Sequence, residues 1–164
     1  MNIIQIISEE LLNVNYKYIP IDFEYGIEDL EEIELDIYEV AEQSDLIAKE
    51  SNLNILRDKE LSGVIIDLSK NEVAGALWIT TDNDEFSFDI AVSNKHRNKR
   101  LSYILIDNAI SEYNTRNDMY QDYQGEQLPM KIDVINPILA KTLKNKYGFK
   151  VINKITDNRV IMSR

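Results

Sequence analysis

The sequence predicts an α+β, or mixed α/β, domain, and three observations carry that expectation. From residue 61 onward, short runs of β-branched and aromatic residues recur between tight polar turns. Helical spacing marks Leu101 to Tyr113 and the segment from Pro137 to Gly148. Strands in a run with interspersed helices point to a sheet packed against helices rather than to an all-α or all-β chain. At 164 residues, 44% of them hydrophobic, the chain is long enough for one domain with a proper core.

Taken in order, residues 1–27 are ambiguous. Ile3 to Leu12 reads as a strand or a short helix, and Tyr16 to Ile21 as an extended segment ending around Pro20. Glu28 to Glu50 is helical. Leu30, Ile33, Ile37, Val40 and Ala41 follow three- and four-residue steps, acids fill the other face, and Ser44–Asp45 is a candidate break. Val64 to Leu68, Val73 to Thr80 and Phe86 to Val92 are strands of an antiparallel meander, joined by turns at Ser69–Glu72 and Asp82–Asp84. Gly75 marks a place of close backbone approach. Leu101 to Tyr113 is a largely buried helix, after which a polar segment, 114–129, interrupts the pattern as a long connection. Lys131 to Ile135 is a strand. Pro137 opens a helix at a favoured first-turn position and Gly148 ends it. Val151 to Ile155 and Val160 to Met162 close the chain as a hairpin around Asp157-Asn158.

Charge divides the chain unevenly. Residues 1–60 hold 16 Asp/Glu and 4 Lys/Arg, a net of −12, whereas residues 61–164 hold 13 and 14, a net of +1. The acidic third is either a solvated helix face or a wall that attracts a cationic substrate or basic partner. Extended contact with nucleic acid phosphates is disfavoured. With no cysteine, disulfides, Cys-based zinc sites and a thiol nucleophile are excluded. That composition suits a cytoplasmic protein, and the opening MNIIQIISEELL, without a basic start, does not read as a signal peptide. No apolar run reaches membrane-spanning length, so no membrane partner is expected.

Against this acidic background, the segment Asp89–Ile106, DIAVSNKHRNKRLSYILI, stands out. An apolar strand ends at Val92, a loop follows with Lys95, Arg97, Lys99 and Arg100, and a helix begins near Leu101. The first amides of a helix lack intrahelical partners and its dipole favours negative charge, so strand, basic loop and helix start together make an anion site.

Three segments, over about residues 61–155, resemble the GNAT N-acetyltransferase family. VAGALWI at 73–79 resembles the strand before the family's central strand. VSNKHRNKRLSYILI at 92–106 is similar to its acetyl-CoA pyrophosphate loop, R/Q-x-x-G-x-G/A after a strand valine. DVINPILAKTLKNKYGFKVI at 133–152 is similar to its strand, Asn, and helix ending in Gly-Phe, here Gly148-Phe149. The resemblance implies a single domain, 1–164, with the acyl-CoA N-acyltransferase fold: a central mixed, mostly antiparallel sheet flanked by helices. It implies acetyl-CoA as cosubstrate and transfer of acetyl to a primary amine by direct attack, without a covalent enzyme intermediate.

Carried over residue by residue, Arg97 falls on the family's first loop position, Arg100 on its first Gly and Ser102 on its final Gly/Ala. Loop amides from Arg97 through Asn98, Lys99, Arg100 and Ser102 to Tyr103 are the implied pyrophosphate cradle. The strand backbone of Ile90 and Val92 is the implied partner of the pantetheine arm. Arg at a Gly position is a departure: where positive φ is needed, a side chain is strained, although a guanidinium there could pair with a phosphate. Asn136 matches the pantetheine-contacting Asn and equally reads as the N-cap before Pro137. The family's acid, a Tyr four residues before the Gly, is Lys144 here, which leaves Tyr147 as the substitute, or as packing under the Gly-Phe turn.

For the base, Asp89 lies on the central strand beside the implied groove, where a carboxylate could take a proton through water; it also reads as a hydrogen-bonded structural Asp. Glu85 is further out, at a turn. His96 reads as an exposed loop side chain outside any Ser/His/Asp triad. ELDIYEVAE has no ordered ligand pattern, and no metal is expected. Trp78 reads as core or pocket wall, and Tyr113, Tyr120 and Tyr123 are candidate pocket residues. The acidic N-terminal helices, which in this family flank the acceptor site, favour a cationic acceptor. Two other readings stay open: a binding module that has lost catalysis, and an acidic protein that occupies a basic partner. Monomer and homodimer are both compatible, the final hairpin offering a dimer edge.

Overall fold

The computed structural model describes residues 15–21, 36–43, 60–82 and 84–164. Seven strands form one sheet in the order β1-β2-β3-β4-β5-β7-β6. They are β1 (Tyr16–Pro20), β2 (Glu60–Asp67), β3 (Glu72–Asp82), β4 (Glu85–Val92), β5 (Met130–Val134), β6 (Lys150–Thr156) and β7 (Arg159–Ser163). Every neighbouring pair is antiparallel except β4 and β5. That single parallel pair needs a crossover, and helix α1 (Leu101–Gln124) provides it. Helix α2 (Pro137–Tyr147) connects β5 to the final hairpin. The expected mixed, mostly antiparallel sheet with flanking helices is the fold observed. The expectations for Ile3 to Leu12, for most of Glu28 to Glu50 and for the Ser44–Asp45 break lie outside the described residues; of that helix, 36–42 is described and is helical.

Each face of the sheet carries its own apolar layer, as strand alternation dictates. On one face Phe86 and Phe88 of β4 join Leu77, Ile79, Leu105, Ile106, Ala109, Met130 and Phe149. On the other, Ala91 joins Val64, Val73, Ala76 and Trp78 under Ile37, Val40 and Ala41 of the helical stretch 36–42. Trp78 is thus core. Gly75, paired with Val92 across β3 and β4, leaves little room for a side chain: a Cβ there would lie 3.0 Å from the Ala91 carbonyl oxygen and 3.3 Å from Leu105. Gly63 is required for a different reason, since the Tyr18 ring lies over it and a Cβ would fall 2.0 Å from the Tyr18 hydroxyl. Burial and the nearby Glu112 push that phenol up to about 12.

One expectation is corrected. The segment 114–129 is not a long connection: α1 continues through it to Gln124 and ends on Gly125 at φ 72°. Tyr120 packs against the apolar core, but other residues of this half are polar and form bonds. Asn117 Oδ1 accepts from Leu128 N–H at 2.8 Å, and Arg116 reaches Glu60 and Thr81. A helix held by hydrogen bonds leaves little apolar periodicity to read.

Candidate active site

β4 and β5 pair only at Phe86↔Met130 and Ser87↔Lys131, next to the Glu85–Lys131 ion pair. Beyond that point β5 follows β7, with Asp133↔Ile161 and Val134↔Val160, and parts from β4. The direction of the freed backbone follows from the register. Phe86 N–H donates to Pro129 O at 2.8 Å, on the β5 side, and Ser93 N–H donates to Ala74 O at 2.9 Å, on the β3 side. The β3–β4 register between them is unbroken. With a period of two, the peptide groups of Ile90 and Val92 therefore point toward β5, which has already moved away. The opening is a cleft of about 620 Å³, lined by Ile90 to Val92, by the loop from His96 to Tyr103 and by β5 with the first turns of α2.

The loop at the cleft mouth is shaped by its backbone. Asn94–His96 is a 3-10 turn, Arg97 is extended, and Asn98 (φ 63°) and Arg100 (φ 60°) are left-handed. Arg100 is the N-cap of α1, makes no side-chain cap bond, and the first turn carries no acid. The glycine-like conformation expected at that position is present, and an arginine adopts it. Left-handed non-glycine residues cost about 1–2 kcal/mol each, so surrounding contacts must hold the loop. Part of that hold comes from Gln43, at the end of the N-terminal helical stretch. Its Oε1 accepts from Asn94 N–H at 2.8 Å and from Ser93 Oγ at 3.3 Å, and its carbonyl accepts from Arg97 at 2.9 Å. Nothing in the local sequence around Gln43 signals this role, because its partners are about fifty residues away.

The structure brings Ile90, Val92, Arg97, Asn98, Arg100, Ser102, Tyr103 and Asn136 to one cleft. Lys99 is exposed on the same loop. Asn136 is the N-cap of α2: its Oδ1 accepts from Ile138 N–H at 2.9 Å and Leu139 N–H at 3.2 Å. It caps the helix and also lines the cleft. Asp89, 7% exposed, does not line the cleft. It is out of step with Ile90 and Val92 and faces the layer under the helical stretch 36–42, opposite Trp78 in the register.

Tyr147 also lies outside the cleft lining. Its hydroxyl donates to Asp107 Oδ1 at 2.8 Å, and its ring stands 6.5 Å from Tyr103, with the Lys146 ammonium 3.9 Å from the Tyr103 ring centre. Burial and the Asp107 carboxylate hold the phenol well above its ordinary value, so it stays protonated. Lys144 is exposed on α2. Tyr120 and Tyr123 line a separate hollow of about 590 Å³ against the β3–β4 turn, and Tyr113 is buried, its hydroxyl donating to Leu128 O at 2.7 Å.

A second correction concerns His96. It is not an exposed loop side chain but is 2% exposed, lodged beneath the loop against Tyr16, Asp67 and Glu72. Ligand atoms of Asp67, Glu72 and His96 lie within 4.8 Å of one another. The imidazole already spends both nitrogens on protein partners, so the group as it stands is a closed hydrogen-bond set.

No family model and no curated protein matches this sequence. Solved structures do match the fold. A GCN5-related N-acetyltransferase from Kribbella flavida aligns at TM-score 0.59 and 14% identity, over 93% of this chain and 98% of that one. The ribosomal-protein-S18-alanine N-acetyltransferase from Escherichia coli aligns at TM-score 0.56 and 14% identity, over 90% and 92%. A GNAT-family acetyltransferase from Streptococcus pneumoniae aligns at 0.55 and 13%, over 91% and 98%. The chain therefore has the GNAT N-acetyltransferase fold across nearly its whole length. No helix among the described residues is long and apolar enough to cross a membrane.

Proposed function

We propose that the protein is an acetyl-CoA-dependent N-acetyltransferase acting on a primary amine. The observation that carries this reading is the parting of β4 from β5 directly beside a basic, left-handed loop that leads into α1. Acetyl-CoA would supply an activated acyl thioester. The residues fit its two ends: Arg97, Lys99 and Arg100 with the first amides of α1 suit phosphates, and the free peptide edge of Ile90 and Val92 suits an amide-bearing arm. In this reading Val92 N–H lies where a developing oxyanion needs a donor. Asn136 positions the start of α2 across the cleft. Asp89, buried on the opposite face of β4 from Ile90 and Val92, is the base this reading assigns, taking the amine's proton through water as the amine attacks. The leaving thiolate takes a proton from solvent, because the Tyr147 hydroxyl is committed to Asp107. The excess of acid in residues 1–60 favours a cationic amine.

Calorimetric titration with coenzyme A, acetyl-CoA and a phosphate-free pantetheine analogue tests the donor. Arg97→Ala is expected to weaken coenzyme A about tenfold, the loss of a charge-assisted phosphate contact, and to leave the phosphate-free analogue unchanged. Release of free thiol with a panel of amines then tests transfer, and equal rates for neutral and cationic amines at low salt would overturn the charge preference. The reading as a binding module without catalysis is favoured by one specific observation, the engagement with Asp107 of Tyr147, the tyrosine nearest in sequence to the family's acid position. Tight coenzyme A binding with no thiol release from any amine would establish it.

A further inference from the structure

Beneath the basic loop lies a polar set that neither the cleft nor the apolar core requires. His96 is buried although its neighbours Lys95 and Arg97 are exposed. Three strands hold its ring. Nε2 stands 2.9 Å from Glu72 Oε1, at the start of β3, and Nδ1 stands 3.0 Å from the Tyr16 hydroxyl, on β1. Asp67 Oδ2, at the end of β2, lies 3.7 Å from Nδ1. A carboxylate only accepts, so in the neutral ring the proton sits on Nε2 and Nδ1 accepts from Tyr16. The Tyr16 ring meets the imidazole edge-on, with 5.6 Å between centres at 87°. Asp67 is fixed in turn by Ser69, which donates from N–H at 2.9 Å and Oγ at 2.6 Å. Lys70 and Lys95 stand 3.7 and 3.6 Å from Glu72.

Burying an imidazole between two carboxylates is expensive unless each polar atom is bonded. Here the bonding is complete: among the described residues no buried side-chain nitrogen or oxygen lacks a partner. An aliphatic side chain would fill the same volume without that cost. What the polar set adds is direction, since two hydrogen bonds to fixed strands orient the ring and the peptide that bears it. That peptide leads directly into Arg97, Asn98, Lys99 and Arg100. These four exposed residues run between two buried ends, His96 and Leu101, and contain both left-handed turns of the loop. Conformations of that kind persist only where the ends over-determine them.

We propose that His96 is the positioning residue of the donor loop: held by Tyr16 and Glu72, it sets the backbone of residues 97–100 in the shape that binds the donor's phosphates. This rests on the reading of the loop as a coenzyme A site. Its ring is bonded to Tyr16 and Glu72, and it acts through the peptide that follows it.

The test combines kinetics with spectra of the ligand-free protein. His96→Ala is expected to raise the acetyl-CoA KM, and the coenzyme A Kd, about tenfold or more, with kcat at saturating donor within about twofold. Tyr16→Phe, which removes one of the two bonds, falls between, and His96→Gln, which can still donate to Glu72, restores part of the affinity. Tyr113→Phe removes a buried hydrogen bond far from the loop and serves as the stability control, with KM unchanged. In ¹H–¹⁵N spectra without ligand, the amides of residues 97–103 shift in His96→Ala and stay in place in Tyr113→Phe. Should His96→Ala fail to fold, Tyr16→Phe and His96→Gln carry the same comparison. Unchanged affinity with unmoved 97–103 amides overturns the proposal, as does an equal KM rise in the Tyr113→Phe control. If the wild-type protein binds no coenzyme A, the donor reading fails, while the spectra still decide whether His96 holds the loop.

Discussion

The two ends of β4 have similar neighbours and opposite fates. At its start, Phe86 and Ser87 are paired on both sides, with β3 and with β5, and Phe86 is fully buried against Tyr113 at 5.5 Å between ring centres. At its end, Ile90 to Val92 keep β3 and lose β5, and a cleft opens instead. The closed end spends its backbone on the sheet and its side chains on the core. The open end still packs Ala91 into the core but leaves the β5-facing backbone of Ile90 and Val92 without a strand partner, and the chain then turns through a strained basic loop that contacts elsewhere must support. One strand thus supplies the rigidity at one end that the unsatisfied edge at the other depends on.

Substitutions at the two ends should separate stability from donor affinity. The largest effect is expected at the closed end, where Phe86→Ala should cost about 3–5 kcal/mol in denaturant unfolding through the cavity it leaves, with the coenzyme A Kd of the folded fraction unchanged. At the open end Asn136→Ala should cost about 1 kcal/mol for the lost cap and also weaken coenzyme A, whereas Asn136→Asp should keep the cap. A loss of stability with no change in affinity would confine Asn136 to the helix. Arg100→Gly should change stability by less than about 1 kcal/mol, relief of the left-handed strain being offset by glycine's unfolded-state entropy, and should weaken coenzyme A binding by loss of the guanidinium. Unaltered affinity would leave Arg100 with a conformational role only.

The smallest expected effect is on the acid side of the stability curve. Hydrogen bonds from Ser69 and His96, with nearby cations, hold Asp67 and Glu72 respectively below their ordinary values of 3.8 and 4.5. Because the folded values are the lower ones, the stabilisation is present above those ordinary values and is lost as pH falls through the folded ones. Denaturant titrations at stepped pH should show that slope in the wild type, and Asp67→Asn with Glu72→Gln should flatten it.

Much of this was legible in the residues, for identifiable reasons. β3 and β4 alternate cleanly between apolar layers, Pro137 and Gly148 bracket α2, and a basic loop in an acidic chain marks the cleft mouth. What escaped was held by polar groups. The second half of α1 is fixed by Asn117 and Arg116, which no apolar period reveals. His96 looks like one more exposed loop side chain until its partners appear, Tyr16 at eighty positions' separation and Glu72 at twenty-four. Asp89 was placed on the right strand, but its face is set by a register that only the paired strands fix.

The β4–β5 seam also has a meaning for how the chain assembles. Strands β2 to β4 join through tight turns, and β6 and β7 form a second local hairpin onto β5. The two halves of the sheet meet through just two register pairs, Phe86↔Met130 and Ser87↔Lys131, forty-four positions apart in the chain. Each half can therefore form early from near-neighbour contacts, and closing the long loop between them is the late, entropically costly event. The protection of amide hydrogens against solvent exchange should fall into two blocks divided at that seam, with α1 reporting on the union of the two.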